Sequence, residues 1–288
     1  MHAARPQTLP ASVTPVLIGS ILAWSHGLFS PAASLIALFC ALAIQIGTNF
    51  ANDYYDYKKG ADNDDRIGFT RMTAAGLIRP NAMLRATITT MLIAFIAGLY
   101  LVWIGGWVIF WIGVFSILFG ILYTGGPFPL GYNGLGDLFV FIFFGLVAVA
   151  GTYYVNALSW SAEAFWLSLP IGALCVNILV VNNLRDVEQD RISGKRTLGV
   201  MFGERVLKGE YLVMLLLAYL TLPILNLRFD YNTAIYLPLL GLPYIAFRLR
   251  TVWSHQQKQE LNQTLEQTAK FMVVFGLLLA TGIYLQSL

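Results

Sequence analysis

The sequence predicts an all-α, polytopic membrane bundle of nine transmembrane helices around a central cavity, forming a single domain over residues 1–288. Three observations predict it. Of the 288 residues, 57% are hydrophobic and only 11% charged, a balance that no soluble domain requires. The apolar residues gather into runs of roughly twenty, the length an α-helix needs to cross a bilayer core. The basic residues, all but Arg228, fall on one side of those runs when the gaps are assigned alternately.

Breaks at polar, Gly and Pro clusters give nine candidate spans, at 10–25, 32–57, 82–103, 106–124, 135–156, 164–184, 208–226, 231–249 and 268–287. The third and fourth are divided only by Ile104, Gly105 and Gly106, and charge arbitrates. With nine spans and a cytoplasmic N-terminus, every Lys and Arg except Arg228 falls on the cytoplasmic side. That is the positive-inside pattern, and it supports the division. The N-terminal run leads into further spans without a small-residue cleavage site, so it reads as a retained first span. External connections are short. The cytoplasmic stretches 58–81 and 185–208 are long and rich in Gly, Arg, Lys and Asp, and both read as lids over a site.

Composition also excludes. No basic stretch carries interleaved aromatics away from the membrane ends, so nucleic acid is not a partner. Cys40 and Cys175 lie inside apolar runs and read as packed hydrophobes. His2, His26 and His255 are far in sequence from the acidic clusters, which speaks against a histidine metal site.

Two copies of one pattern stand where apolar runs meet charge. Asn49, Asn52, Asp56 and Gly60 have the same spacing as Asn183, Asp186, Asp190 and Gly194. Steps of three and four put such side chains on one helix face, so each copy offers oxygen ligands a turn apart. Four spans separate the copies, an even number, so both tips lie on the cytoplasmic side of helices running the same way. The arrangement reads as a pseudo-repeat, with the copies facing one another across the cavity.

Acids near a helix C-terminus at a membrane boundary are doubly disfavoured, by the helix dipole and by low polarity. A divalent cation reverses both penalties. Mg²⁺ prefers oxygen ligands and is typically held by one or two carboxylates together with substrate phosphates. Two facing acidic tips with Lys58, Lys59, Arg66, Lys195 and Arg196 nearby fit a diphosphate bridged to the protein by Mg²⁺. A single Asp-x3-Asp at a helix end is ordinarily a solvated cap, and the pairing is what points to chemistry.

At these residues the chain resembles the UbiA superfamily of intramembrane prenyltransferases, and within it the branch acting on 1,4-dihydroxy-2-naphthoate. The resemblance runs through Arg5-Pro6 with Thr8-Leu9-Pro10. It continues in Asn52-Asp53-Tyr54-Tyr55-Asp56 through Asp62, with Asp65-Arg66-Ile67-Gly68, and in Asn182-Asn183-Leu184-Arg185-Asp186 through Asp190, with Gly194-Lys195-Arg196-Thr197-Leu198. It implies a nine-helix bundle that transfers a polyprenyl or phytyl group from its diphosphate to an aromatic acceptor. By the same resemblance Asn52, Asp56, Asp186 and Asp190 hold Mg²⁺, and Asp56, Asp186 and Asp190 are the catalytic acids. The broad family carries an acid where Gly60 stands, and Asp62 is the substitute, as in the naphthoate branch.

Arg66 and Lys195 are the first choices for diphosphate contact, with Arg5 and Arg196 behind them and Asn49 and Asn183 on the same faces. Tyr123 ends a span on the cytoplasmic side and is a substrate-site candidate. It is followed by Thr124-Gly125-Gly126-Pro127 with no base, which argues against 4-hydroxybenzoate as acceptor. Homogentisate or 4-hydroxybenzoate remains the enzymatic alternative. An ion-coupled secondary transporter is the alternative of another class, disfavoured because carriers put their acids near the midplane. The expected setting is a bacterial plasma membrane or a thylakoid, with the active site facing the cytoplasm and the lipid bilayer as the constant partner.

Overall fold

Helices start where the sequence supplies a start signal. Pro10, Pro31 and Pro80 occupy first turns, where a missing N–H is no loss. The Ser161 side chain accepts from the amides of Glu163 and Ala164, at 3.1 and 3.2 Å. The computed structural model describes residues 2–61 and 67–287, and among them there is no strand. Two one-turn 3-10 segments, His2–Ala4 and Pro6–Thr8, lead into α1 (Pro10–Ser25). Then come α2 (Pro31–Lys58), α3 (Pro80–Leu122) and α4 (Gly136–Val140), which runs through a π-helical stretch, Phe141–Val147, into α5 (Ala148–Ala157). The rest is α6 (Ala162–Ile192), α7 (Leu198–Phe202), α8 (Glu204–Phe229), a 3-10 segment Thr233–Gly241, α9 (Leu242–Ser254) and α10 (Glu260–Gln286).

Among the described residues, six helical stretches are long and apolar enough to cross a membrane: α2, α3, α4 with α5, α6, α8 and α10. This is fewer than the nine expected, for three local reasons. α1 has 16 residues and reaches spanning length only with the bent segment before it. The run from Thr233 to Ser254 is split between 3-10 and α geometry. Finally, α3 is continuous by its bonding but not by its path.

The 43 residues of α3 would extend about 65 Å as a straight rod, roughly twice a hydrocarbon core. Gly106, at φ 67° and ψ −154°, breaks the rod. Residues on either side of it come to the same place. A Cβ built on Gly120 would lie 3.6 Å from the Met91 methyl, and one on Gly47 of α2 3.0 Å from it. The two arms, 80–105 and 106–122, therefore fold back on each other against α2, at the division read from the sequence.

α6 is the central helix, buried along most of its length among α1, α8 and α10. Glycines set the closest approaches, as membrane helices without a hydrophobic driving force require. A Cβ on Gly145 would meet the Gly172 Cα at 2.7 Å, and one on Gly19 the Val149 carbonyl at 2.5 Å.

One expectation is corrected here. The stretch 185–208 is not a long lid, because α6 continues to Ile192 and α7 follows almost at once. Charge does not stop the helix, since Arg185 is paired with Asp186 at 2.7 Å and Arg191 with Glu188 at 2.8 Å, one turn apart. Of the two stretches, only the one after α2 remains a long connection.

Candidate active site

The repeated glycines explain where the acids end up. Gly60 and Gly194 have φ of 65° and 74°, the left-handed conformation that glycine adopts without strain. Each closes its helix with the same two bonds. The Ala61 amide donates to the Asp56 carbonyl at 3.0 Å and the Gly60 amide to Tyr57 at 3.0 Å. In the second copy Lys195 donates to Asp190 at 2.8 Å and Gly194 to Arg191 at 3.2 Å. These are Schellman caps, which satisfy orphan carbonyls and fix the last turn. Asp56 and Asp190 thus occupy the same position in the final turn of α2 and of α6. The cap also turns Lys195 back over its own helix.

The two tips meet in one cavity of about 400 Å³. Lys195 Nζ lies 3.6 Å from an Asp56 oxygen and 3.6 Å from an Asp190 oxygen. Asp56, only 1% exposed, also accepts from Arg71 at 2.9 Å and from the Tyr132 hydroxyl at 2.7 Å. A polar group this deeply buried needs such hydrogen-bond partners to offset its lost hydration. The Tyr132 ring is flanked by two ammonium groups, Lys59 at 4.2 Å and Lys195 at 4.9 Å from its centroid. Lys59 donates to the Thr124 carbonyl at 2.7 Å, and the Thr124 hydroxyl donates to Asn52 at 2.8 Å. Burial lowers the Lys59 pKa from the ordinary lysine value; Asp56 opposes the shift and Lys195 adds to it.

Asp186 is held differently. Both its oxygens accept from the neighbouring Arg185, at 2.7 and 2.8 Å. Arg185 also donates to Asn182 at 2.8 Å and to Asn262 of α10 at 3.0 Å, and Asn262 in turn donates to the Ile67 carbonyl at 3.0 Å. Asp53 serves the same connection from the other side, accepting from the amides of Met72 and Thr73 at 3.0 and 2.9 Å. The segment after the first motif is therefore tied to α2, α6 and α10, and it delivers Phe69 and Arg71 to the cavity wall.

Of the residues singled out from the sequence, Arg5, Asn49, Asn52, Asp56, Tyr123, Asn183, Asp186, Asp190 and Lys195 all line this cavity. Asn49 is already engaged, donating to the Ala4 carbonyl at 2.9 Å and to the Thr8 hydroxyl at 3.1 Å, so it anchors the N-terminal segment. Tyr123 packs on the following loop, where a Cβ on Gly131 would sit 3.0 Å from its ring. Arg196 is not brought to the cavity. Its side chain is exposed, and its backbone amide donates to the Tyr132 carbonyl at 2.8 Å. Asp62 and Arg66 lie outside the described residues. Cys40 and Cys175 are buried and free, as expected.

Sequence reasoning passed over Tyr132, Arg71 and Thr124. Tyr132 had a visible signal, since it sits in the Pro- and Gly-dense run Pro127-Phe128-Pro129-Leu130-Gly131-Tyr132-Asn133-Gly134 just past a span. Arg71 had none beyond its charge, because its placement depends on how the connection folds back over Asp56.

Among the described residues no three acidic, histidine or cysteine side chains converge as a ready-made metal cage. The donor set nevertheless fits a hard cation. Asp56, Asp190, Asp186 and Asn52 offer only oxygen around one cavity, and Mg²⁺ ordinarily takes one or two carboxylates and completes its shell with phosphate and water.

Beyond the charged mouth the cavity is apolar, lined by α2, both arms of α3, α4 and α5. Charge at one end and hydrocarbon along the rest define the class: an integral, multi-pass membrane protein whose internal site takes an amphiphile with an anionic head. The chain belongs to the UbiA prenyltransferase family, whose model matches residues 12–282, and it is a prenyltransferase. It is 35% identical over 291 residues to the 1,4-dihydroxy-2-naphthoate octaprenyltransferase of Escherichia coli (strain K12), covering 99% of this chain and 94% of that protein. Solved structures share the fold at low identity. The apo UbiA homolog from Aeropyrum pernix K1 has a TM-score of 0.75 at 13% identity, covering 99% of both chains. A UbiA homolog from Archaeoglobus fulgidus bound to DMAPP and Mg²⁺ has a TM-score of 0.67 at 12% identity, covering 97% of this chain and 98% of that one.

Proposed function

We propose that this protein transfers a polyprenyl group from its diphosphate to 1,4-dihydroxy-2-naphthoate, with loss of CO₂, on a path to a naphthoquinone. The supporting observation is the shared lysine. Asp56 and Asp190 come from separate helices into one cavity and are close enough for Lys195 to reach both.

The chemistry follows from the charges. Arg71 pairs with Asp56, and Lys195 lies within reach of both Asp56 and Asp190. A diphosphate in the cavity would lie against these cations, and Asn52, Asp56, Asp186 and Asp190 would hold Mg²⁺ beside it. Bound there, Mg²⁺ supplies Lewis-acid stabilisation of the leaving diphosphate. Arg71 and Lys195 stabilise the charge that develops on the bridging oxygen as the allylic C–O bond breaks and its electron pair leaves with the diphosphate. The ring carbon bearing the carboxylate then bonds to the allylic carbon. Its bond to the carboxylate breaks, CO₂ departs, and that electron pair restores the aromatic ring. Phe139, Phe143 and Phe144 on the cavity wall exclude water that would quench the cation.

The same reading takes the chain as one transmembrane domain with nine crossings and the α2 and α6 motifs as a pseudo-repeat. It counts the two arms of α3 as separate crossings, supported by the fold-back at Gly106. It also sets the mouth of the cavity on the cytoplasmic side, supported by the crowding of Lys and Arg at that end.

The test is incubation of purified protein with dihydroxynaphthoate and prenyl diphosphates, with and without Mg²⁺. Prenylated, decarboxylated product that forms only with the metal is expected. Product that keeps the carboxylate, or none with any donor, refutes the reading.

A further inference from the structure

Three glycines in the cavity wall are explained neither by backbone conformation nor by packing. Gly98, Gly113 and Gly151 lie inside helices without a positive φ. A Cβ added at Gly113 meets no atom within 4 Å; at Gly98 it meets only the Cys40 sulfur at 3.9 Å, and at Gly151 only an Ile112 methyl at 3.8 Å. The other α3 glycines without a positive φ are crowded: a Cβ on Gly105 would be 2.4 Å from the Ile109 side chain, and one on Gly120 2.6 Å from the Thr48 hydroxyl. A glycine inside a helix gives up propensity relative to alanine, and here it gains no contact in return. What it leaves is open lumen.

The three stand at one depth. Met91 and Gly120 meet across the α3 hairpin, and seven residues from each toward Gly106 lie Gly98 and Gly113. Ile112, next to Gly113, faces Gly151. On α2 the matching residue is Cys40, sixteen positions before Asp56 and so about 24 Å away along the helix axis. Beyond this level buried Leu101, Ile109 and Val155 close the bundle.

We propose that Gly98, Gly113 and Gly151 keep open a bay at the deep end of the apolar cavity, which takes the far end of a long polyprenyl tail, and that this bay sets the donor chain length. The inference rests on the donor reading above. Short tails end before the bay and long ones fill it, so a side chain placed there acts on long donors selectively.

The experiment uses the full chain in detergent with dihydroxynaphthoate and Mg²⁺, and compares geranyl, farnesyl, geranylgeranyl and octaprenyl diphosphates. In Gly113→Leu and Gly151→Leu the ratio of kcat/KM for octaprenyl over farnesyl donor should fall about tenfold or more, the usual penalty of overpacking. A ratio equal to wild type, or an equal loss with every donor, overturns the bay. Should the leucine variants not fold, the triple alanine variant, whose added carbons meet nothing closer than 3.8 Å, decides by the same ratio. Wild-type protein inert with all donors refutes the donor reading itself, whereas active wild type with an insensitive ratio refutes the bay alone.

Discussion

Asp56 and Asp190 share one lysine, with Lys195 Nζ 3.6 Å from an oxygen of each. The two acids belong to helices far apart in the sequence and occupy equivalent places in their last turns. Lys195 is covalently part of the second copy's cap, so the geometry that ends α6 also joins the two motifs. Two buried acids brought together without such a cation would repel one another. Lys195 offsets that repulsion from a position within reach of both.

Replacing either acid should therefore disable the same unit. Asp56→Asn and Asp190→Asn preserve shape and leave the surrounding donors an oxygen to bind, which limits the destabilisation caused by stranding buried cations. Each variant should lose about 100-fold or more in kcat, in line with the loss of a transition-state charge stabiliser. The double variant should fall little further, because groups acting as one unit are not additive. Steady-state product formation on detergent-purified protein measures this. Two independent, multiplying losses would show that the acids do not act together.

Tyr132 is the second test, because the sequence reading did not single it out. Tyr132→Phe keeps the ring between Lys59 and Lys195 but removes the hydroxyl that donates to Asp56 at 2.7 Å. A hydrogen bond to a charged group contributes about 1.5–3 kcal/mol, so kcat/KM should drop by about tenfold to a hundredfold. Tyr132→Leu also removes the ring and should lose more. Equal activity in Tyr132→Phe and wild type would leave the tyrosine a packing residue only.

The twin caps predict a stability effect separable from catalysis. Gly194→Ala and Gly60→Ala place a Cβ in a left-handed conformation, and nothing lies within 4 Å of either added atom. The penalty is therefore conformational, about 1–2 kcal/mol. Gly194→Asn should be milder, since asparagine tolerates this region. Thermal unfolding in detergent should rank wild type above Asn and Asn above Ala. A Gly194→Ala protein as stable as wild type would mean that the cap contributes nothing.

The legible part of this fold was the part written in local chemistry. Periodic acids, a capping glycine after each, and one-sided Lys and Arg are all short-range patterns, and they carried the reading to the two tips and to the break at Gly106. Residues whose role depends on a chain reversal were not legible. Arg71 reaches Asp56 only because Asp53 captures the amides of Met72 and Thr73 and folds the connection back. The misplaced lid over 185–208 has the same origin. A run of charges looks like a loop until Arg185 is seen lying on Asp186 and Arg191 on Glu188, neutralised within the helix. Arg196, chosen for its charge beside Lys195, points outward because its backbone is pinned to Tyr132.

Asn262 carries the last prediction, because it joins α10 to a site otherwise built from α2 and α6. Its carbonyl oxygen accepts from Arg185 at 3.0 Å, and its amide nitrogen donates to the Ile67 carbonyl at 3.0 Å. The fit beneath it is tight, since a Cβ on Gly68 would lie 2.6 Å from an Arg185 nitrogen. Asn262→Ala removes both bonds and should loosen the segment that presents Arg71 and Phe69 to the cavity. KM for the donor should rise several-fold while kcat changes less, and limited proteolysis within residues 67–79 should accelerate. Asn262→Asp keeps the acceptor for Arg185 and loses only the donor to Ile67, so it should fall between the two. A change in kcat with donor KM and proteolysis at wild-type levels would place Asn262 in the chemistry itself rather than in holding the segment.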